Sequence, residues 1–254
     1  VATWLVLAVA TLMGSLALYS RIGQENHSEA TFSVIISGVI LILYIIALIC
    51  IYCLDFIYLY YHYYKTMYSE QGYLTHTLPV SPVATFGVKI FTFFVWMLTS
   101  SVLLACSVLI LIDVASGREL FIALFSSWGE FAREAEDLFG MSAPFLIFIF
   151  IAETFLGLLW KILWITASMA IGQLFQSGRA GFSILAGFCI YMVNQIVSTI
   201  FLAATGYNLN SFLEGEFRSF MNYVIGGSTG ISIVLIVLLY GICVYINKKK
   251  LNLE

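Results

Sequence analysis

Ionisable and amide side chains are rare inside the apolar runs of this sequence, so the few that occur there carry most of its chemical information. Glu153 is the plainest case. Counting from Pro144 at about 1.5 Å per residue places it roughly 13 Å into a hydrocarbon layer about 30 Å thick. A carboxylate at that depth costs several kcal/mol unless it is paired, hydrated or protonated, so it must face protein or a water-filled path. Lys161 follows about two turns later and about 80° round the same helix, too far along the axis for an easy direct pair. Its long stem lets it snorkel instead. Asn194 and Gln195 stand side by side near the middle of another run. For Glu153 two readings stand open: a place on a translocation path or at a dimer seam, and a structural hydrogen bond to another span. The amides have the same pair of readings, and as glue between helices each bond is worth about 0.6 to 2 kcal/mol.

Other reactive combinations are absent. Cys50-x-x-Cys53 has the spacing of a redox or zinc pair, yet no second pair and no nearby His completes a ligand set. All five cysteines, Cys50, Cys53, Cys106, Cys189 and Cys243, fall in apolar runs as small hydrophobes. His27, His62 and His76 are scattered over separate connections. No Gly-x-x-x-x-Gly-Lys-Ser/Thr phosphate loop, His-Glu-x-x-His pair, Gly-x-Ser-x-Gly elbow or pair of intramembrane aspartates occurs. The chain therefore lacks the parts of an ATPase, a membrane protease or an esterase, and no catalytic residue, metal or cofactor is expected in it. Its basic residues are too few and too dispersed for nucleic acid.

The elements that must position these groups follow from composition. With 61% hydrophobic and 10% charged residues over 254 positions and a mean hydropathy of +1.00, the chain is no soluble globule, whose charged fraction is about 25%. Inside a bilayer the backbone has no water partner, so each long apolar run must be helical. A β-barrel would instead show short alternating segments. The expected fold is all-α: a polytopic membrane protein with six transmembrane helices at about 1–20, 32–60, 83–112, 144–174, 181–204 and 223–246, in a single domain over 1–254. The first run lacks a basic leader and is too long for the apolar part of a signal peptide. Because the chain starts at Val1, an initial segment is expected to have been trimmed.

Charge chooses the orientation. Lys65, Arg179, Lys248, Lys249 and Lys250 lie in the connections 61–82 and 173–181 and in the tail, with Lys89 and Lys161 toward the same face. The opposite connections carry Arg21, Arg118, Arg133 and Arg218 among ten acids. Basic residues retained on the cytoplasmic side put both termini inside. Outside, Phe121, Leu124, Phe125, Trp128, Phe131, Ala132, Ala135, Leu138 and Phe139 recur every three or four residues, predicting one extracellular amphipathic helix at about 117–140. Its acidic face argues against attachment to anionic lipid by charge and favours a lid or substrate-collecting helix over a passive interface helix. A brief helix is expected at about 212–220. Gly226, Gly227, Ser228 and Gly230 open the sixth span with small residues suited to a packing or dimer contact, or to bending of its outer end.

On this topology the connection 61–82 is cytoplasmic. The span before it leaves the bilayer through Tyr52, Phe56, Tyr58, Tyr60, Tyr61, Tyr63, Tyr64 and Tyr68, an aromatic belt on a helix that projects stiffly inward. Glu70-Gln71-Gly72 reads as a helix end, because Gly tolerates the left-handed conformation. Leu78-Pro79 and Ser81-Pro82 then bar helix until about Val83. The result is a short helix and a stiff turn between two spans.

Tyr68-Ser69-Glu70-Gln71-Gly72-Tyr73-Leu74, followed by Thr77-Leu78-Pro79-Val80-Ser81 and by Lys89, resembles the first cytoplasmic loop of type-2 ABC exporter permeases, the membrane subunits of bacterial exporters. The likeness is confined to this stretch; elsewhere only span number and topology agree. Relatives carry an amphipathic helix before the first span that this sequence does not show. The resemblance implies a permease subunit in the bacterial cytoplasmic membrane, paired with a second permease chain, identical or related, above two ABC ATPase subunits that hold the ATP and Mg. Tyr68, Ser69, Glu70, Gln71, Gly72, Tyr73, Leu74 and Pro79 would couple to the ATPase. Glu153, Asn194 and Gln195 are the candidates for the translocation path. The aromatic-rich outer helix and the nearly uncharged spans suit an amphipathic cargo: an antimicrobial peptide, a lipid or a hydrophobic drug. Two alternatives remain: a non-transport membrane scaffold or sensor using the same loop, and a secondary transporter. For the last no internal repeat is visible, and Glu153 and Asp55, the latter near the inner face, are almost the only charged sites in the spans.

Overall fold

Residues 30–68, 81–115, 125–175, 178–206 and 217–249, with Leu7, Thr11, Gly14 and Ile122, are described by the structure, a computed structural model. They form six helices: α1 (Ala30–Met67), α2 (Pro82–Ala115), α3 (Trp128–Phe139), α4 (Ala143–Gly172), α5 (Arg179–Gly206) and α6 (Phe217–Lys249). Among the described residues, five helices are long and apolar enough to cross a membrane, at Gly38–Met67, Val83–Val114, Ala143–Gly172, Arg179–Ala204 and Asn222–Lys248. This is a multi-pass membrane protein of the all-α class. The expected first span, about 1–20, lies almost wholly outside the described residues. Its described members Leu7, Thr11 and Gly14 are helical, buried and spaced to share one helix face.

Local chemistry sets the helix ends. Ser81 caps α2, its Oγ accepting from the Ala84 amide at 3.3 Å, and Pro82 occupies the first helical position, where a missing N–H costs nothing. Helix therefore resumes one residue earlier than the two-proline reading allowed. Gly140, at φ 68°, closes α3 by donating its amide to the Glu136 carbonyl at 2.9 Å. Ser142 and Pro144 then open α4. The turn from α4 to α5 passes through Gly178 at φ 72°, and the Phe175 and Phe182 rings stack across it with centroids 3.9 Å apart. The helix expected at about 212–220 begins, within the described residues, at Phe217 and continues without a break into α6.

The described chain divides into two packing units. The first comprises residues 1–59 and 96–129. Here Ser107 Oγ on α2 lies 2.6 Å from the Tyr44 hydroxyl of α1 and 2.9 Å from Thr11 Oγ1. Three hydroxyls thus satisfy one another away from water. Asp55 on α1 is buried in this unit, with the Ser100 hydroxyl and the Trp96 indole as polar neighbours on α2. It is twelve residues from the end of α1.

The second unit comprises residues 60–95 and 130–254. Its centre is α4, against which α5 and α6 both pack, and α6 touches α5 less extensively. Small residues make the α4–α5 seam. A Cβ on Gly172 would stand 1.9 Å from Ser183 Oγ and 2.7 Å from the Ser183 amide nitrogen. One turn along, Gly187 lies against Ser168, and its carbonyl accepts from Trp164 Nε1 at 2.8 Å. Ser168 and Gly172 on one helix face Ser183 and Gly187 on the other, a small-x-x-x-small pattern on both sides.

Because Ser183 presents backbone as well as side chain to Gly172, the seam cannot yield cheaply. Gly172→Ala is expected to destabilise the protein by about 1–3 kcal/mol in thermal unfolding in detergent. Gly181→Ala, whose Cβ meets nothing within 4 Å, is expected to be neutral or to stabilise by up to about 1 kcal/mol.

Candidate functional site

The connection 69–80 lies outside the described residues, and with it Ser69, Glu70, Gln71, Gly72, Tyr73, Leu74 and Pro79. Both of its ends are described. The tyrosine run leading into it does not form a uniform belt. Leu59, Tyr63 and Met67, at four-residue spacing, are fully buried, whereas Tyr61 and Tyr64 point outward. The Tyr63 ring packs edge-on against Phe93 of α2 and against Tyr68, with centroids 6.0 and 5.6 Å away.

Three further contacts hold the loop base. Lys89 Nζ donates to the Thr66 carbonyl at 2.9 Å, so a cation on α2 caps the negative end of α1. The Tyr68 hydroxyl donates to Asn247 Oδ1 at 3.4 Å, near the end of α6. Burial pushes that hydroxyl well above the ordinary phenol range, so it stays a neutral donor at physiological pH. Phe86, fully buried near the start of α2, lies against Tyr240 of α6 with ring centroids 5.5 Å apart. The two helices flanking the connection are thus tied to each other and to α6. Asn247 was not identified from the sequence, where it reads as part of a basic tail.

A second feature lies deeper, between α4, α5 and α6. A cleft of about 380 Å³ is lined by Gly157, Trp160 and Lys161 of α4, Asn194, Ser198, Phe201 and Leu202 of α5, and Val224, Ser228, Ile231 and Ser232 of α6. Each helix contributes positions four apart: Gly157 and Lys161, Asn194 and Ser198, Ser228 and Ser232. That spacing places each pair on one helix face. It was the available sequence signal, and it adds Gly157, Ser198 and Ser232 to the Lys161, Asn194 and Ser228 that composition alone singles out. Against Gly227 of α6 the Phe201 ring approaches so closely that a Cβ would stand 1.8 Å from its Cζ. Gly227 is therefore a packing contact, one of the two roles expected of that glycine group.

Of the three path candidates, the structure brings Asn194 into the cleft wall. Gln195, one residue on and about 100° round the helix, is exposed and outside the lining. Glu153 stands one turn before Gly157. It is partly buried, and its Oε1 is hydrogen-bonded to Thr229 Oγ1 of α6, the neighbour of Ser228. Thr229 Oγ1 also reaches the Ile225 carbonyl at 2.7 Å, so one hydroxyl proton stands between two acceptors. The interspan hydrogen bond, one of the two readings of Glu153, is present.

Among the described residues no group of His, Cys, Asp and Glu is placed to hold a metal ion. On α3, Trp128, Phe131 and Leu138 are exposed and Ala135 is buried. The chain matches no family model, no curated protein and no solved structure.

The Thr229 pair makes a directional prediction. Thr229→Val removes the donor facing Glu153 and is expected to lower stability by about 0.6 to 2 kcal/mol. Glu153→Gln adds an amide donor toward Oγ1 while the hydroxyl serves Ile225, and is expected to match or exceed the parent. Thermal unfolding of the purified protein in detergent reads both.

Proposed function

We propose that this chain is the permease subunit of an ATP-driven ABC exporter in a bacterial cytoplasmic membrane, moving an amphipathic cargo. Two permease chains, identical or related, would stand above two ATPase subunits that hold the ATP and Mg. The six-span topology with both ends inside, and an extracellular α3 serving as lid or collector, belong to this reading.

The observation that carries it is the bracing of the 69–80 connection. This is the stretch whose residues resemble a permease's coupling loop, and it emerges from helices fixed by Lys89 to Thr66, by Tyr68 to Asn247 and by Phe86 against Tyr240. A loop that only joins two spans has no need of such a base. A loop that receives thrust does, because force applied to a slack connection is lost in the connection. ATP-driven closure of the partner subunits would push at Tyr68–Leu74, and the braced base would pass the displacement to α1, α2 and α6 together. The spans would then alternate between two discrete arrangements. Cargo enters this scheme through the helices around Glu153 and Asn194.

Co-purification tests the docking role. Simultaneous replacement of Glu70, Gly72 and Tyr73 by Ala is expected to reduce the ATPase recovered with the chain at least tenfold from detergent extracts. Unchanged recovery with unchanged ATPase turnover would overturn the docking assignment and favour a scaffold or sensor. Asn247→Leu, which leaves the loop intact, is expected to keep the ATPase bound while lowering cargo-stimulated ATP hydrolysis. Glu153→Ala is expected to change transport with assembly intact.

A further inference from the structure

Among the described residues Asp55 is the only carboxylic side chain that is buried, at 4% exposure. Its polar neighbours on α2, the Ser100 hydroxyl and the Trp96 indole, are both uncharged. They stand thirteen or more residues from either end of the apolar run Val83–Val114. At about 1.5 Å per residue that is roughly 20 Å, which puts the carboxyl inside a hydrocarbon layer about 30 Å thick. A charge there needs a counter-charge or water. Residues 1–20, 30–59 and 96–115, the span segments of this packing unit, contain no Lys, Arg or His. Along the two helices the nearest are His62, seven residues past Asp55 on α1, and Lys89, seven before Trp96 on α2. Each is about 10 Å further along its axis, and the Lys89 ammonium already donates to the Thr66 carbonyl. The other titratable side chains within a turn on α1 are the Tyr52 and Tyr58 phenols and the Cys53 thiol, which carry no positive charge in either form.

Water is not at hand either. The Ser100 oxygen is closed to solvent. One turn along the same seam lies a groove of about 630 Å³, walled by Leu48, Ile49 and Tyr52 of α1 and by Leu104, Val108 and Leu109 of α2. Such walls offer an ion nothing, but they lead from the lipid toward Asp55. A hard metal ion takes about six oxygen ligands, and no group suited to a metal occurs among the described residues. A proton needs one oxygen, no space and no counter-charge.

We propose that Asp55 is a proton-binding site: its carboxyl is the neutral acid while the seam between α1 and α2 is closed, and it ionises when the seam admits water. Closing then takes up a proton and opening releases one, so the balance between the two arrangements follows the proton concentration. The inference stands apart from the exporter reading, since a sensor or a secondary transporter with this seam would bind the same proton.

Infrared spectroscopy of the full chain in lipid bilayers tests it, with carbon-13 placed in the carboxyl groups of the three aspartates, Asp55, Asp113 and Asp137. At neutral pH the carbonyl stretch of a protonated acid is expected, shifted by the isotope and lost in Asp55→Asn. Dicyclohexylcarbodiimide gives a second reading. The acid proton passes to a carbodiimide nitrogen as the carboxyl oxygen bonds to the central carbon; acyl transfer from oxygen to nitrogen then fixes the adduct, and nothing leaves. Peptide mapping by mass spectrometry is expected to find this adduct on Asp55 forming at least tenfold faster than that of a water-soluble carbodiimide. A parent spectrum showing aspartate only as carboxylate overturns the inference, and that reading holds should the Asp55→Asn protein not fold. So does a protonated band that survives Asp55→Asn, or equal labelling by the two reagents. Suppression of the labelling by sodium chloride at fixed pH also overturns it, because a metal ion then holds the site.

Discussion

Hydrocarbon offers the peptide group no hydrogen-bond partner, and every feature of this protein is a response to that fact. Helices satisfy the backbone internally, which leaves side chains to decide where one helix meets another. Since lipid is as apolar as leucine, apolar area alone does not drive the spans together. Contacts form instead where a residue is small enough for close approach or polar enough to need a partner. Ser168, Gly172, Ser183 and Gly187 are of the first kind. Tyr44 with Thr11 and Ser107, Trp164 with the Gly187 carbonyl, and Glu153 with Thr229 are of the second. Across the spans, most large apolar side chains remain exposed on the protein's surface, as a lipid solvent permits.

One helix joins the two features of interest. Asn247, near the end of α6, meets Tyr68 at the loop base, while Ser228 and Ser232 of the same helix wall the cleft. At about 1.5 Å per residue those points are roughly 22 to 28 Å apart along one unbroken rod. The base of the 69–80 connection and the cleft are therefore both contacts of one continuous helix. Nothing in the Lys-rich tail marks Asn247 as a contact, so this link is visible only in the structure.

The helices themselves were legible, and for a simple reason: long apolar runs in this composition admit no other backbone. α1 continues through the tyrosine run to Met67, as a helix projecting beyond its span requires; that Tyr63 and Met67 are buried there is what a belt of tyrosines does not announce. Which face of each span is buried was also hidden. When lipid-facing and protein-facing positions are equally hydrophobic, the helical period that identifies a buried stripe in a soluble protein vanishes. Only the rare exceptions carry the signal, and these had to be read in pairs four apart. Asn194 stands out as an amide and Ser228 as one of a small-residue group, whereas Ser198 and Ser232 give no separate sign. Gln195 was grouped with Asn194 by adjacency, although adjacent helix positions face different ways.

The α4–α5 hairpin has a graded cross-section. Its backbones touch at Gly172 and Ser183, small side chains separate them at Ser168 and Gly187, and the rings of Trp164 and Tyr191 fill the gap a turn further on. Beyond that the two helices part into the cleft. A hairpin that tapers in this way is gauged at its narrow end: where Gly172 meets the Ser183 backbone, the separation is set, and the width of the cleft beyond follows from that one contact and the divergence of the two helices.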